Sequence, residues 1–327
     1  MPKERGVTEK MVRVIQSLYH GGQTIVQCSA GDTDPIPVAV GLHQGSALSP
    51  LLFAIVMDTI SVTVREGVPD ELLYADDIAI SADSVDKLQE KFRKWQVELE
   101  SKGLKVNTRK TEVLVSAKGE GHRAVIKDRH NQEIKQVEKF CYLGTTISET
   151  GGSREEVKMR VNRAWGKWRE TSGVMCDKRM TVKLKVKIYK SVIRPVLLYG
   201  MEALALRRSE ERLLESTEMR MLRWICGVSL LEHRTNEDIR KFTKTANISE
   251  KAREARLRWM GHVMRREEEN SLKKTLMAKV VGKRSRGRQR LRWRDKVGRD
   301  MRDIGAAEGA WNDRARWKRL CRAADPT

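Results

Sequence analysis

The spacing of apolar residues changes several times along the chain, and each change suggests an element. Residues 11–19, MVRVIQSLY, have helical spacing. TIVQCSA and PIPVAVG alternate like paired strands and predict a hairpin that turns at GDTD. GLHQGSALSP is rich in Gly, Ser and Pro and reads as a loop. It leads into LLFAIVMDTISVTVRE, a mostly buried helix that Ser46 or Ser49 would cap, with Pro50 in its first turn. The short runs Leu72–Tyr74 and Ile78–Ile80 predict two strands joined at Asp76–Asp77. Residues 84–102 predict an amphipathic helix with Leu88, Phe92, Trp95 and Leu99 on one stripe and Gly103 as C-cap. LKVN and TEVLVSA are strand-like, and AVIKD with EIKQVEKFCYLGTTIS suggests further hairpins. Past Gly151–Gly152 the pattern is helical: REEVKMRVNRAWGKWRETS, TVKLKVKIYKSVIRPVLLYG and SEERLLESTEMRMLRWICG. Pro195 is expected to kink or interrupt the second of these.

Composition narrows the function. The 327 residues carry a formal net charge of +21, which attracts polyanions, nucleic acid first among them. The excess is concentrated: residues 251–327 hold 24 Lys and Arg against 10 Asp and Glu, hence +14. An acidic membrane surface is the alternative partner, but no apolar stretch is long enough to span a bilayer. The N-terminus lacks the apolar core of a signal peptide. The five cysteines are scattered, with no CxxC pair, which fits a reducing intracellular compartment, nuclear or cytoplasmic. Arg-x-Arg-Trp recurs at 256–259, 290–293 and 314–317 at unequal intervals, so it reads as recurring composition and not as a structural repeat.

The chemistry rests on two neighbouring carboxylates. Asp76 and Asp77 repel each other, and the pairing suits either a solvated turn or a site where cations gather. Upstream lies the Gly-rich loop GLHQGS. Together with GLKVNTRKTEVLV and KFCYLGTTI, the segments LHQGSALSP and LLYADDIAI resemble four successive motifs of reverse transcriptases, most nearly those of LINE-type non-LTR retrotransposons. RLRWMGHVMR and GRQRLRWRDKV are similar to segments that follow the thumb in such elements. The resemblance implies an α+β fold: an incomplete palm over 1–120, a motif-E hairpin over 121–150, a helical thumb over 151–230, and a helical basic region over 231–327.

It also implies roles. Asp76 and Asp77 would hold Mg²⁺ (or Mn²⁺), and Lys110 would help protonate the leaving pyrophosphate. Gln44, Gly45 and Ser46 would line the nucleotide and template pocket, where a side chain at position 45 would obstruct close approach. Tyr74 and Ala75 would lie near the primer end. Phe140, Cys141, Tyr142, Leu143 and Gly144 match the primer grip. Simpler readings stand beside these: a helix-entry loop at 44–46, a surface lysine at 110, ordinary strand packing for Phe140. The basic run Lys283, Arg284, Arg286, Arg288, Arg290 and Arg292 suits a phosphate-binding arm, a nuclear localisation signal or a solvated segment. Trp95, Trp165, Trp168 and Trp224 fall on helical stripes and are expected in the core. Packing is favoured over base stacking for Trp259, Trp293 and Trp317.

In the family another catalytic aspartate precedes these motifs, in a Phe-x-Asp strand. The chain is expected to lack it, together with the fingers and any N-terminal endonuclease. Asp32 and Asp34, placed in the GDTD turn, would not replace it. One acidic strand alone should hold Mg²⁺ weakly. The expected function is therefore that of a truncated, catalytically incomplete reverse transcriptase, with little or no polymerase activity alone. The alternative is a remnant that grips RNA or an RNA–DNA hybrid through thumb and tail without copying it. Expected partners are an RNA template, a DNA primer and the missing polymerase half, with no membrane. Apolar surface near Leu73 and Ile80 is expected to lack its usual cover.

Overall fold

The computed structural model describes residues 6–29, 31–38, 40–66, 70–116, 123–149, 151–278 and 291–325. It is an α+β chain in two compact units, Met1–Val113 with Arg123–Gln136, and Leu114–His122 with Val137–Thr327.

The first unit opens with helix α1 (Glu9–Tyr19). Two short ladders follow: β1 (Gln23–Thr24) pairs with β4 (Ile36–Pro37), and β2 (Gln27–Cys28) with β3 (Gly31–Asp32), all antiparallel. The reversal falls between Cys28 and Gly31, earlier than the expected GDTD turn. Gly31, at φ +121°, supplies the freedom the turn needs, and Asp32 becomes a strand residue facing Gln27.

Helix α2 (Ser49–Ser61) has Pro50 in its first turn, as expected, but neither serine caps it. Ser49 is the first helical residue, and its hydroxyl donates back to the His43 carbonyl at 2.7 Å. The helix also stops short of the expected Glu66. Ser61 and Thr63 turn their hydroxyls onto the Asp58 and Ile60 carbonyls, offering the chain end local partners in place of another turn.

Strands β5 (Glu71–Tyr74) and β6 (Asp77–Ile80) pair antiparallel, Tyr74 opposite Asp77 and Glu71 opposite Ile80. Helix α3 (Val85–Ser101) follows. Ser84 caps its start by accepting from the Lys87 N–H. At its end Gly103, at φ +83°, and Leu104 return their N–H groups to Glu100 and Leu99, the Schellman closure expected of that glycine. Met57, Ile60, Trp95 and Leu99 form the buried core of this unit. Leu73, Ile78 and Ile80 pack against it from the hairpin, so the expected uncovered surface is not at Leu73 or Ile80. Leu72, on the opposite face, is the exposed one.

LKVN forms no strand, and of TEVLVSA only β7 (Glu112–Val113) pairs, parallel to the two-residue β8 (Lys135–Gln136). Between them Ile126 and Ile134 are buried beside a reversal in which the Asp128 carboxylate accepts from the His130 and Gln132 N–H groups.

The second unit begins with the hairpin β9 (Lys139–Tyr142) and β10 (Thr145–Ser148). Helices α4 (Arg154–Glu170) and α5 (Ser172–Met175) follow. Next come α6 (Val182–Ile188), a π-helical turn at Tyr189–Ile193, and α7 (Arg194–Leu198). Pro195 interrupts the α-helical geometry, as expected, without ending the helical run. Its missing N–H falls in the first turn of α7, and the wider π turn just ahead absorbs the ring.

Then come α8 (Arg208–Cys226), stopped by Gly227 at φ +67°, α9 (Asn236–Thr243) and α10 (Ile248–Met264). One core runs through all of these, from Val157 through Ile193, Leu197 and Leu222 to Ile239 and Ala252. It draws residues from both sides of the exposed stretch 230–235. Inside it the fully buried Glu218 carboxylate accepts from the Tyr189 hydroxyl, the Ile248 N–H and Arg240. Burial holds Glu218 above the ordinary carboxyl range even with those partners.

A satellite core joins α10 to α12 (Trp293–Asp303) and α13 (Arg314–Cys321) through Leu257, Val297, Trp311 and Trp317. Helix α11 (Ser271–Met277) lies between them in the chain. Trp95, Trp168 and Trp317 are buried and Trp165 and Trp293 half-buried, but Trp224 is 63% exposed, against expectation. It sits in the last turn of α8, on the face away from Leu222 and Ile225. Among the described residues no helix is long and apolar enough to cross a membrane.

Candidate functional site

The carboxylate pair sits at the end of β5–β6. Because Tyr74 pairs with Asp77, the connecting turn is Ala75–Asp76, one residue earlier than predicted. Ala75 adopts φ +51°, a conformation that costs a non-glycine residue of order 1 kcal/mol. The strained alanine puts Asp76 at the exposed tip. Side chains alternate along a strand, and Leu73 and Ile78 face the core, so Tyr74 and Asp77 share the outer face. Both are exposed, Tyr74 at 62%.

At its other end the hairpin is anchored by a residue the sequence reading missed. Glu71 is 3% exposed, and its carboxylate accepts from the Trp95 indole N–H at 2.9 Å and the Glu66 backbone N–H at 2.7 Å. Beside it Lys91 bridges Glu66 (2.9 Å) and Asp70 (3.2 Å), and the Glu66 bond holds its ammonium above the usual lysine range. A glutamate opening an apolar strand carries no signal of this; only the packed indole reveals it.

The Gly-rich loop enters the same unit through α2. Gln44 and Gly45 are exposed and Ser46 half-buried. Gly45 has φ +87°, and a Cβ there would meet nothing within 4 Å. Within this chain the glycine is therefore required by backbone conformation, not by crowding. Tyr19 stacks on His43 at 4.4 Å and its hydroxyl lies 3.3 Å from Ser49 Oγ, fixing the loop to α1 and α2. Lys110 is exposed, in a turn where its N–H donates to Asn107. Among the described residues no three His, Cys, Asp or Glu side chains converge as a metal site.

The predicted primer-grip residues lie in the second unit. Tyr142 pairs with Thr145, leaving Leu143 (φ +48°) and Gly144 (φ +76°) as the turn. Positive φ at both central residues is the type I′ pattern that suits strand twist. Phe140 and Tyr142 are half-buried and Cys141 exposed.

Three side chains missed by sequence reading hold this turn. Arg160 Nη2 and Arg163 Nη1 both donate to the Gly144 carbonyl, at 2.6 and 2.7 Å. The Tyr199 hydroxyl donates to the Leu143 carbonyl at 3.0 Å, and the Arg160 guanidinium lies 4.4 Å over the Tyr199 ring. Glu156, buried, takes Arg160 Nε at 2.6 Å and the Thr146 N–H at 2.6 Å. The spacing Glu156-Arg160-Arg163 is visible as one helix face, but nothing in it names the hairpin as target.

Of the basic run, Lys283, Arg284, Arg286, Arg288 and Arg290 lie outside the described residues. Arg292 is half-buried at the start of α12, where its N–H donates to Asp295.

Two adjacent acidic residues at the end of a two-stranded hairpin, after a Gly-rich loop, match a known class. Residues 3–147 match the family model described as reverse transcriptase (RNA-dependent DNA polymerase). The chain is thus similar, over this stretch, to the reverse transcriptases of LINE-type non-LTR retrotransposons. It is 26% identical over 269 residues to an uncharacterized transposon-derived protein of Caenorhabditis elegans, covering 77% of this chain and 94% of that one. It is 27% identical over 166 residues, 46% of its length, to the retrovirus-related Pol polyprotein from the type-2 retrotransposable element R2DM of Drosophila melanogaster. It is 24% identical over 237 residues, 68% of its length, to the RNA-directed DNA polymerase from mobile element jockey of the same fly. The matches span only 16% and 26% of those two fly proteins.

Proposed function

We propose that this polypeptide acts as the part of a retrotransposon reverse transcriptase that grips an RNA template with its DNA strand, and that Asp76 and Asp77 are one half of a metal site. The observation that carries this reading is the β5–β6 turn, where strained Ala75 holds Asp76 at an exposed tip beside Asp77 and Tyr74. Carboxylate oxygens are hard donors and suit Mg²⁺ or Mn²⁺, ions of the kind this enzyme family uses. Bound there, such ions would stabilise charge on the attacking and leaving oxygens of phosphoryl transfer.

That chemistry needs bridging carboxylates from two backbone segments, and this hairpin supplies one. On this reading the chain by itself is a weak metal binder and a poor polymerase, and a second acidic strand must come from elsewhere. Gln44, Gly45 and Ser46 would border the nucleotide, Tyr74 the primer end, and Phe140 to Gly144 the primer backbone. Lys110, exposed and close in sequence to the packed Val106, would donate a proton to pyrophosphate.

Primer extension on an RNA template with Mg²⁺ or Mn²⁺ tests the reading, with hybrid binding measured in parallel. The 327-residue chain should bind the hybrid yet extend no better than Asp76→Asn. Robust copying that Asp76→Asn abolishes, or no binding at all, overturns it.

A further inference from the structure

The motif-E turn is held by two arginines that differ in one respect. Arg160 is 4% exposed and its charge is matched by Glu156 at 2.6 Å. Arg163, one turn further along α4, is half-buried and pairs with no carboxylate among the described residues. Its Nη1 holds the Gly144 carbonyl, its Nη2 lies 4.0 Å from the exposed Cys141 sulfur, and its Nε–H has no partner among the described residues. A guanidinium fixed at one corner, with donors left over beside an exposed strand, is preorganised for an anion. Arg is the side chain best suited to phosphate, because its planar fork offers parallel donors.

The turn also supports this from the other side. Arg160 and Tyr199 also hold Gly144 and Leu143, so the turn keeps two of its three side-chain bonds when Arg163 is replaced. Glu156 neutralises Arg160 beside the shared carbonyl, whereas Arg163 keeps a solvent-accessible positive charge there.

Resting on the nucleic-acid reading above, we propose that Arg163 is a phosphate-binding residue, contacting the backbone of a nucleic-acid strand laid along Cys141 and the Leu143–Gly144 turn, while Arg160 and Tyr199 are positioning residues. The salt dependence of binding separates a phosphate contact from a merely structural one, because each neutralised phosphate releases counterions.

The full chain, Arg163→Gln, Arg163→Lys and Tyr199→Phe are titrated with an RNA–DNA hybrid across a salt series, and their melting temperatures compared. Arg163→Gln should reduce the slope of log K against log salt by about 1, and Arg163→Lys should keep it. Tyr199→Phe should lower affinity with the slope unchanged. All three should melt close to the parent. An unchanged slope in Arg163→Gln, or Arg163→Lys behaving like Arg163→Gln, overturns the inference alone. A parent chain that binds no hybrid overturns it together with the function proposed above.

Discussion

At position 261 a hydrogen in place of a methyl sets how closely α10 and α13 approach. A Cβ built on Gly261 would lie 2.2 Å from Trp317 Nε1 and 2.6 Å from Cδ1. The indole is 2% exposed and its N–H donates to the Leu257 carbonyl, so it has nowhere to retreat without breaking a buried bond. Alanine would gain about 1 kcal/mol of helix propensity. The overlap costs about 1–3 kcal/mol, and an orphaned buried carbonyl a similar amount. Gly261→Ala should therefore lose about 2 kcal/mol in urea denaturation; a variant as stable as the parent would refute this packing argument. Arginine 256, three residues after Arg253 in the same basic stretch, is another case where type misleads: it is fully buried, with Nε on Asp300 at 2.6 Å and Nη1 on the Leu204 carbonyl. Composition counts it toward the polyanion-seeking charge, yet Asp300 neutralises it inside the fold.

Among the elements, the extended segment after α13 shows how a short stretch can be fastened by charge. Asp325 forks onto Arg194 at the start of α7, at 2.8 and 3.1 Å, and accepts from the Ala246 N–H just ahead of α10. Partial burial alone would raise its carboxyl, but Arg194, the Ala246 N–H and Lys190 outweigh that and bring it to about 2. A carboxyl lowered on folding stabilises the fold above its unfolded pKa, and that stability fades as pH falls through the folded value. Asp325→Asn should thus cost about 2 kcal/mol at neutral pH, with the gap to the parent closing between about pH 4 and pH 2. Urea titrations across that range check it, and a gap independent of pH would rule out the ionic account. The hairpins β5–β6 and β9–β10 show the same local device. Each uses a two-residue turn with a non-glycine residue at positive φ, Ala75 in one and Leu143 in the other. A glycine sits in the second turn at position 144; none marks the first, whose expected position at Asp76–Asp77 lies one residue late.

For the molecule as a whole, the +21 charge predicts steep salt dependence of nucleic-acid binding, a loss of about a hundredfold or more between 50 and 200 mM salt. A binding constant indifferent to salt would show that the charge is not what engages the ligand. Deleting residues 251–327, the simplest dissection of a basic tail, is not a clean test. Ala252 lies in the main core of the second unit, and Arg256 holds Leu204. Removing the tail exposes that core, so point substitutions at exposed arginines report charge better. Exposed apolar side chains also concentrate in the first unit, with Met11, Val14 and Leu18 on α1 and Ile25, Val26 and Ile36 in the short ladders. The structure thus moves the uncovered surface from Leu73 and Ile80 to these segments.

What the amino-acid order determined is mostly what neighbours along the chain decide. Helical stripes, the Ser84 cap, the Gly103 closure and the order of the four motifs are local patterns, set within a few residues by hydrogen-bond geometry and periodicity. Tertiary structure alone decided the buried anchor at Glu71 and the capture of the Gly144 carbonyl by Arg160 and Arg163. Those outcomes depend on groups 16 to 24 residues away, where a partner indole or carbonyl exists only after the chain has folded back on itself.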